Sequence, residues 1–189
     1  MKKLLVFALV AMVAGFAGAQ TLSWMGDSYI FHKEADTWYQ ANGTETWATG
    51  GAFDGHNFGI VSSLTLGGQA QTWERPYGTT VTMFYEVFQG TNTQGGVQSM
   101  EMPWLEQAGN NDKWENVTGT NVAAGLAPNT AYTVAVFFNA VNDQTEVWDS
   151  NSGNNYIASF TTAPIPEPAT MGLLGLGAVA LALRRKMSK

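Results

Sequence analysis

The stretch most able to do chemistry is Trp148-Asp149-Ser150-Asn151-Ser152-Gly153-Asn154-Asn155-Tyr156. Two aromatic rings bracket a carboxylate and several carboxamides. An aromatic face stacks on the apolar C–H face of a pyranose, and Asp and Asn side chains pair with its hydroxyls. That reading makes Trp148, Asp149, Asn151, Asn155 and Tyr156 candidate glycan contacts. Two other readings share the residues. Asp, Ser, Asn and Gly are what a tight loop needs in order to turn, with their side chains bonding local backbone. Asp149, Asn151 and Asn155 also present oxygens at odd spacing, as a calcium loop does. Yet Gly153 stands where such a loop wants an oxygen ligand and no Glu completes the cage, so no metal site is expected.

Nothing else in the chain points to a reaction. There is no cysteine nucleophile, no His-rich metal spacing and no Gly-x-Ser-x-Gly elbow. His32 and His56 read as isolated polar loop residues. The protein is expected not to be an enzyme and to need no cofactor. The remaining tryptophans, Trp24, Trp38, Trp47, Trp73, Trp104 and Trp114, lie mostly near turn signals. Each alone reads as packing; together they favour an interaction surface.

The elements that must position these residues read as strands. "TTVTMFYEVFQG" alternates Val81, Met83, Tyr85 and Val87; "AYTVAVFFNAV" alternates Tyr132, Val134, Val136 and Phe138; "NYIASFTT" alternates Tyr156, Ala158 and Phe160. "GIVSSLTLGG" reads as a fourth such strand, with Ile60, Ser62, Leu64 and Leu66 on one face. Period-two patterning with Gly and Asn punctuation predicts half-buried antiparallel strands. The expected fold is all-β, an antiparallel β-sandwich. Without cysteine, its stability must come from a packed core.

Both ends stand apart from that unit. Lys2 and Lys3, the apolar run Leu4 to Val13 and small residues Ala17-Gly18-Ala19 form a secretory signal, with cleavage expected between Ala19 and Gln20. Between residues 20 and 163 only Lys33, Arg75 and Lys113 stand against fourteen acids, a net charge of −11. Such a surface repels phosphate backbones, so nucleic acid is excluded as a partner. At the other end, Ala169 to Leu183 carries no charge and Arg184, Arg185 and Lys186 follow. A helix of that length spans about 22 Å, short of a ~30 Å hydrocarbon core, and its basic end suits a stop-transfer segment. The expected organisation is residues 1–19 as signal peptide, 20–163 as the sandwich, 164–168 as a Pro-rich linker and 169–189 as a hydrophobic helix with a basic end.

Three resemblances add to this reading. Leu126, Pro128, Thr130 and Tyr132, followed by a strand ending in Thr161-Thr162, resemble the last two strands of a fibronectin type III or immunoglobulin-like sandwich. Pro128 and Asn129 would make the turn, and Tyr132 would start a strand with its ring inside and its hydroxyl on nearby backbone. The Trp148–Tyr156 stretch resembles the W-D-N-N-x-G-x-N-Y signature of starch- and glycogen-binding modules, departing from it at Ser150. Pro166-Glu167-Pro168, the short apolar helix and Arg184-Arg185 resemble the PEP-CTERM sorting signal. That last resemblance implies a Gram-negative bacterium, transient lodging in the inner membrane and processing by an exosortase near the Pro-Glu-Pro. It also implies delivery to the cell surface or extracellular matrix. The expected function is an exported, non-catalytic sandwich that binds polysaccharide or exopolymer. The alternative is a structural or adhesive matrix protein contacting other proteins.

Overall fold

The computed structural model describes residue 22 and residues 25–43, 47–73 and 78–165. The signal segment with Ala19 and Gln20, and the tail with Pro166, Glu167, Pro168, Arg184 and Arg185, lie outside the described residues. Among the described residues there are twelve strands: β1 (Met25–His32), β2 (Thr37–Gln40), β3 (Asn57–Val61), β4 (Thr65–Trp73), β5 (Thr80–Gln89), β6 (Asn92–Thr93), β7 (Gln98–Met102), β8 (Trp104–Ala108), β9 (Asn111–Asn121), β10 (Ala131–Val141), β11 (Glu146–Asp149) and β12 (Tyr156–Thr162). They form two sheets packed as a sandwich. The first runs β2-β1-β4-β9-β8 and the second β3-β12-β10-β5-β6, with β11 also on β10 and β7 also on β5. Neighbours are antiparallel except β3 and β12, which pair in parallel at the sheet edge.

Alternation builds the core between the sheets. Val81, Met83 and Val87 of β5, Val134, Val136 and Phe138 of β10, and Ala158 and Phe160 of β12 are all buried. Ile30, Leu66, Ala70 and Trp114 meet them from the first sheet. Phe138 is fully enclosed; truncating a side chain of this kind costs about 3–5 kcal/mol. The Tyr132 ring is buried and its hydroxyl accepts from the Ala127 amide at 3.1 Å. Pro128 and Asn129 form the preceding turn, with Asn129 at φ 50°.

One expected strand is two. "GIVSSLTLGG" breaks at Ser62–Leu64, so that β3 belongs to the second sheet and β4 to the first. Leu64 and Leu66 enter the core, but Ile60 is 73% exposed on the outer face of β3. The chain changes sheet again at Pro103, which separates β7 from β8; its carbonyl accepts from the Glu115 amide at 2.9 Å. Pro suits that corner because it has no N–H to leave unpaired.

A 3-10 turn, Lys33–Ala35, joins β1 to β2 and is tied down by Glu34. The Glu34 carboxylate accepts from the Ser63 hydroxyl at 2.6 Å, the Thr65 hydroxyl at 2.6 Å and the Thr65 amide at 2.8 Å. Burial works to raise its pKa, but those three donors outweigh it and hold the group at about 2. His32 and His56, expected as isolated polar residues, instead flank Phe58 with ring centroids 5.1 and 4.6 Å away. Burial lowers the pKa of both, so the fold favours neutral imidazoles.

Candidate functional site

The two ends of the 148–156 segment are both held by β10. β11 pairs with the C-terminal half of that strand, placing Asp149 opposite Phe138 and Trp148 opposite Asn139. Phe138 faces the core, so Asp149 lies on the inner side and Trp148 on the outer. β12 takes up the same edge further along, with Tyr156 opposite Val136, a core residue, and so Tyr156 also points inward. The five candidate residues are therefore not brought onto one surface.

Tyr156 is 4% exposed and its hydroxyl donates to the Asp149 carboxylate. Burial, followed by that hydrogen bond, pushes the phenol pKa above its ordinary value. Asn151 donates to the Asp54 carboxylate and to the Asn155 carbonyl, both at 3.2 Å. Asp54 in turn accepts from the Ile157 amide at 2.9 Å. Asn151, Ser152 and Asn155 adopt φ of 49°, 57° and 60°, a region Asn tolerates better than most residues. The Asn151 side chain is thus engaged in turning the chain and stapling it to Asp54.

Trp148 is different. It is 50% exposed and packs beside two rings that composition alone did not single out. Phe84 of β5 and Phe137 of β10 are direct cross-strand partners. Their centroids are 5.2 Å apart with planes 8° from parallel, and Trp148 lies 5.9 and 6.0 Å from them. The three form an aromatic platform on the outer face of the second sheet. Glu86 shares that face, as does Asn139, which donates to Glu146 at 3.0 Å. Asn139 is itself only 5% exposed, so the polar edge beside the rings is carboxylate, from Glu86 and Glu146, and such an edge suits a pyranose with its apolar face and rim of hydroxyls. The sequence carried one signal for this platform: Phe84 and Phe137 fall at the outward parity of strands whose other parity fills the core.

The other tryptophans divide. Trp114 is buried and donates to the Thr72 hydroxyl at 3.0 Å, and Trp104 donates to Asp112 at 2.7 Å. Trp38 and Trp47 join Tyr29 and Phe31 on the first sheet, and Trp73 is exposed at the end of β4. Among the described residues, no group of three or more His, Cys, Asp and Glu side chains could hold a metal ion.

β12 ends at Thr162, and Pro164 and Ile165 leave the sandwich exposed to solvent. No curated protein matches the chain. Its C-terminal segment does match a known pattern: residues 164–186 fit the PEP-CTERM protein-sorting motif, which spans Pro166-Glu167-Pro168 and Arg184-Arg185. The protein thus carries the signal of an exported exosortase substrate on the end of a β-sandwich.

Proposed function

We propose that this is a non-catalytic polysaccharide-binding protein of the cell surface or extracellular matrix. It is released from its signal peptide after Ala19 and trimmed by exosortase close to Pro168. The tail then lodges in the inner membrane only until cleavage. The observation that carries the binding assignment is the Phe84–Phe137–Trp148 platform, three packed rings on an open sheet face with Trp148 half exposed. Large exposed aromatic surface on a secreted acidic domain is costly unless something covers it. The domain's net negative charge favours an uncharged polymer over an acidic one.

Affinity electrophoresis in gels containing soluble glucans tests the assignment. The protein is expected to be retarded, and Trp148→Ala, still folded, is expected to migrate freely. Equal retardation of the two removes the platform from the binding site.

A second reading rests on the same face. Ile60 and Ile157, both exposed, widen the apolar surface beyond the rings, which suits contact with another protein in the matrix. Absence of glycan hits together with self-association of the purified protein selects that reading.

A further inference from the structure

The first sheet carries its own concave site on the opposite side of the sandwich. Ile30 of β1 faces the core, so Tyr29 and Phe31 stand on the outer side of the sheet, where both are nonetheless buried, at 3% and 8% exposure. Phe31 lies opposite Trp38 on one side and Gly67 on the other. The rings are contiguous: Phe31 to Trp38 is 4.9 Å between centroids, Trp38 to Trp47 6.2 Å and Tyr29 to Trp47 4.2 Å. A Cβ on Gly67 would come within 2.2 Å of the Asn116 carbonyl, so only glycine lets β9 pass this close. There β9 bulges outward, and its Val117 and Thr118 form a wall facing the rings. Between the rings and that wall lies a cleft of about 600 Å³, bounded also by Lys33, Asp36 and Glu115.

The walls are held in place without a ligand. The Lys33 ammonium donates to the Thr118 carbonyl at 3.2 Å, bracing the β1–β2 turn against the bulge. Asn116 accepts from the Thr118 and Gly119 amides at 3.1 and 3.2 Å, which shapes the bulge itself. Gln69 donates to one oxygen of Glu115 at 2.9 Å, fixing that carboxylate at the edge of the cleft. Preorganised walls lower the entropy lost on binding.

The lining selects the ligand. The volume suits a small ligand or one segment of a polymer. A purely apolar ligand would strip water from Lys33, Asp36 and Glu115 without replacing it. An anionic ligand meets two carboxylates against one ammonium. A neutral sugar has both an apolar ring face for Trp38 and hydroxyls that carboxylates accept strongly. We propose that this cleft binds a neutral pyranose unit, with Trp38 stacked on its C–H face and Asp36 and Glu115 accepting from its hydroxyls. The site does not depend on the Trp148 platform, which lies on the other sheet.

The test uses processed protein recovered from the cell surface and carrying Trp148→Ala, so that the two sites are scored separately. Gluco-, manno- and galacto-hexasaccharides are titrated by calorimetry, with oligogalacturonate as the anionic comparison. At least one neutral hexasaccharide is expected to bind. Adding Trp38→Ala is expected to weaken it about tenfold or more, as for truncation of a central aromatic anchor. Asp36→Asn keeps the left-handed backbone at Asp36 (φ 48°), which Asn tolerates, and so tests the cleft even where loss of the indole disturbs folding. It is expected to weaken binding about threefold or more, the cost of exchanging a charge-assisted hydrogen bond for a neutral one. The proposal is overturned when no neutral hexasaccharide binds the Trp148→Ala protein. Binding unchanged by both cleft substitutions, or tighter binding of the uronate, overturns it equally.

Discussion

Replacing Tyr156 by Phe removes one hydroxyl and nothing else from the interior edge of the sandwich. Tyr156 is buried, and its hydroxyl donates to Asp149, whose own strand β11 is held to β10 by only four residue pairs. A hydrogen bond to a charged group is worth about 1.5–3 kcal/mol, and its loss here also leaves the partly buried carboxylate without that donor. For a domain of this size, each kcal/mol moves the melting temperature by about 3–5 °C. Tyr156→Phe is therefore expected to melt about 5–15 °C lower by calorimetry, while retardation in glucan gels stays that of the wild type. Asp149→Asn keeps an acceptor for the phenol and is expected to lose less. The phenol should also resist ionisation: its raised pKa means that stability is lost as pH climbs above the ordinary 10. A Tyr156→Phe protein with unchanged melting and abolished glucan retention would refute this reasoning, since the hydroxyl would then be facing the ligand and not the core.

Two further outcomes are expected. Stability should fall on acidification in two stages: first as pH drops below about 6.5, where an unfolded histidine binds a proton that the partly buried His32 and His56 resist, and again from 4.5 toward 2, where Glu34 holds its charge in the fold. Chemical denaturation across pH checks this, and Glu34→Gln should remove the lower stage while leaving the upper. Intact-mass measurement of protein recovered from the cell surface should give a chain beginning near Gln20 and ending near Pro168; recovery with Lys189 attached contradicts processing.

Much of the fold was legible because single strands advertise their inner face. The alternating sets of β5, β10 and β12 fill the core as the pattern requires. "GIVSSLTLGG" misled because alternation carries no label for the sheet a strand joins: Ile60 and Leu66 share a parity, yet the turn at Ser62–Leu64 sends one outside one sheet and the other inside its partner. The 148–156 loop was legible as a turn and ambiguous as a site. Whether Trp148 faces out and Tyr156 in depends on register against β10, through the pairs Asn139–Trp148 and Val136–Tyr156, and register between distant segments leaves no local mark. The cleft of the first sheet is harder still to read, since it joins a turn at 33–36 to a bulge at 117–119, segments far apart in sequence that β4 brings within reach of each other.

The central claim is that outward-facing indoles of an exported sandwich contact neutral polysaccharide. Indole N–H resonances report it most directly, one tryptophan at a time. On addition of a neutral glucan oligosaccharide, the Trp148 signal is expected to move while that of buried Trp114, bonded to Thr72, stays in place. If the Trp148 signal holds still at saturating sugar, the platform does not bind it and the account of function fails.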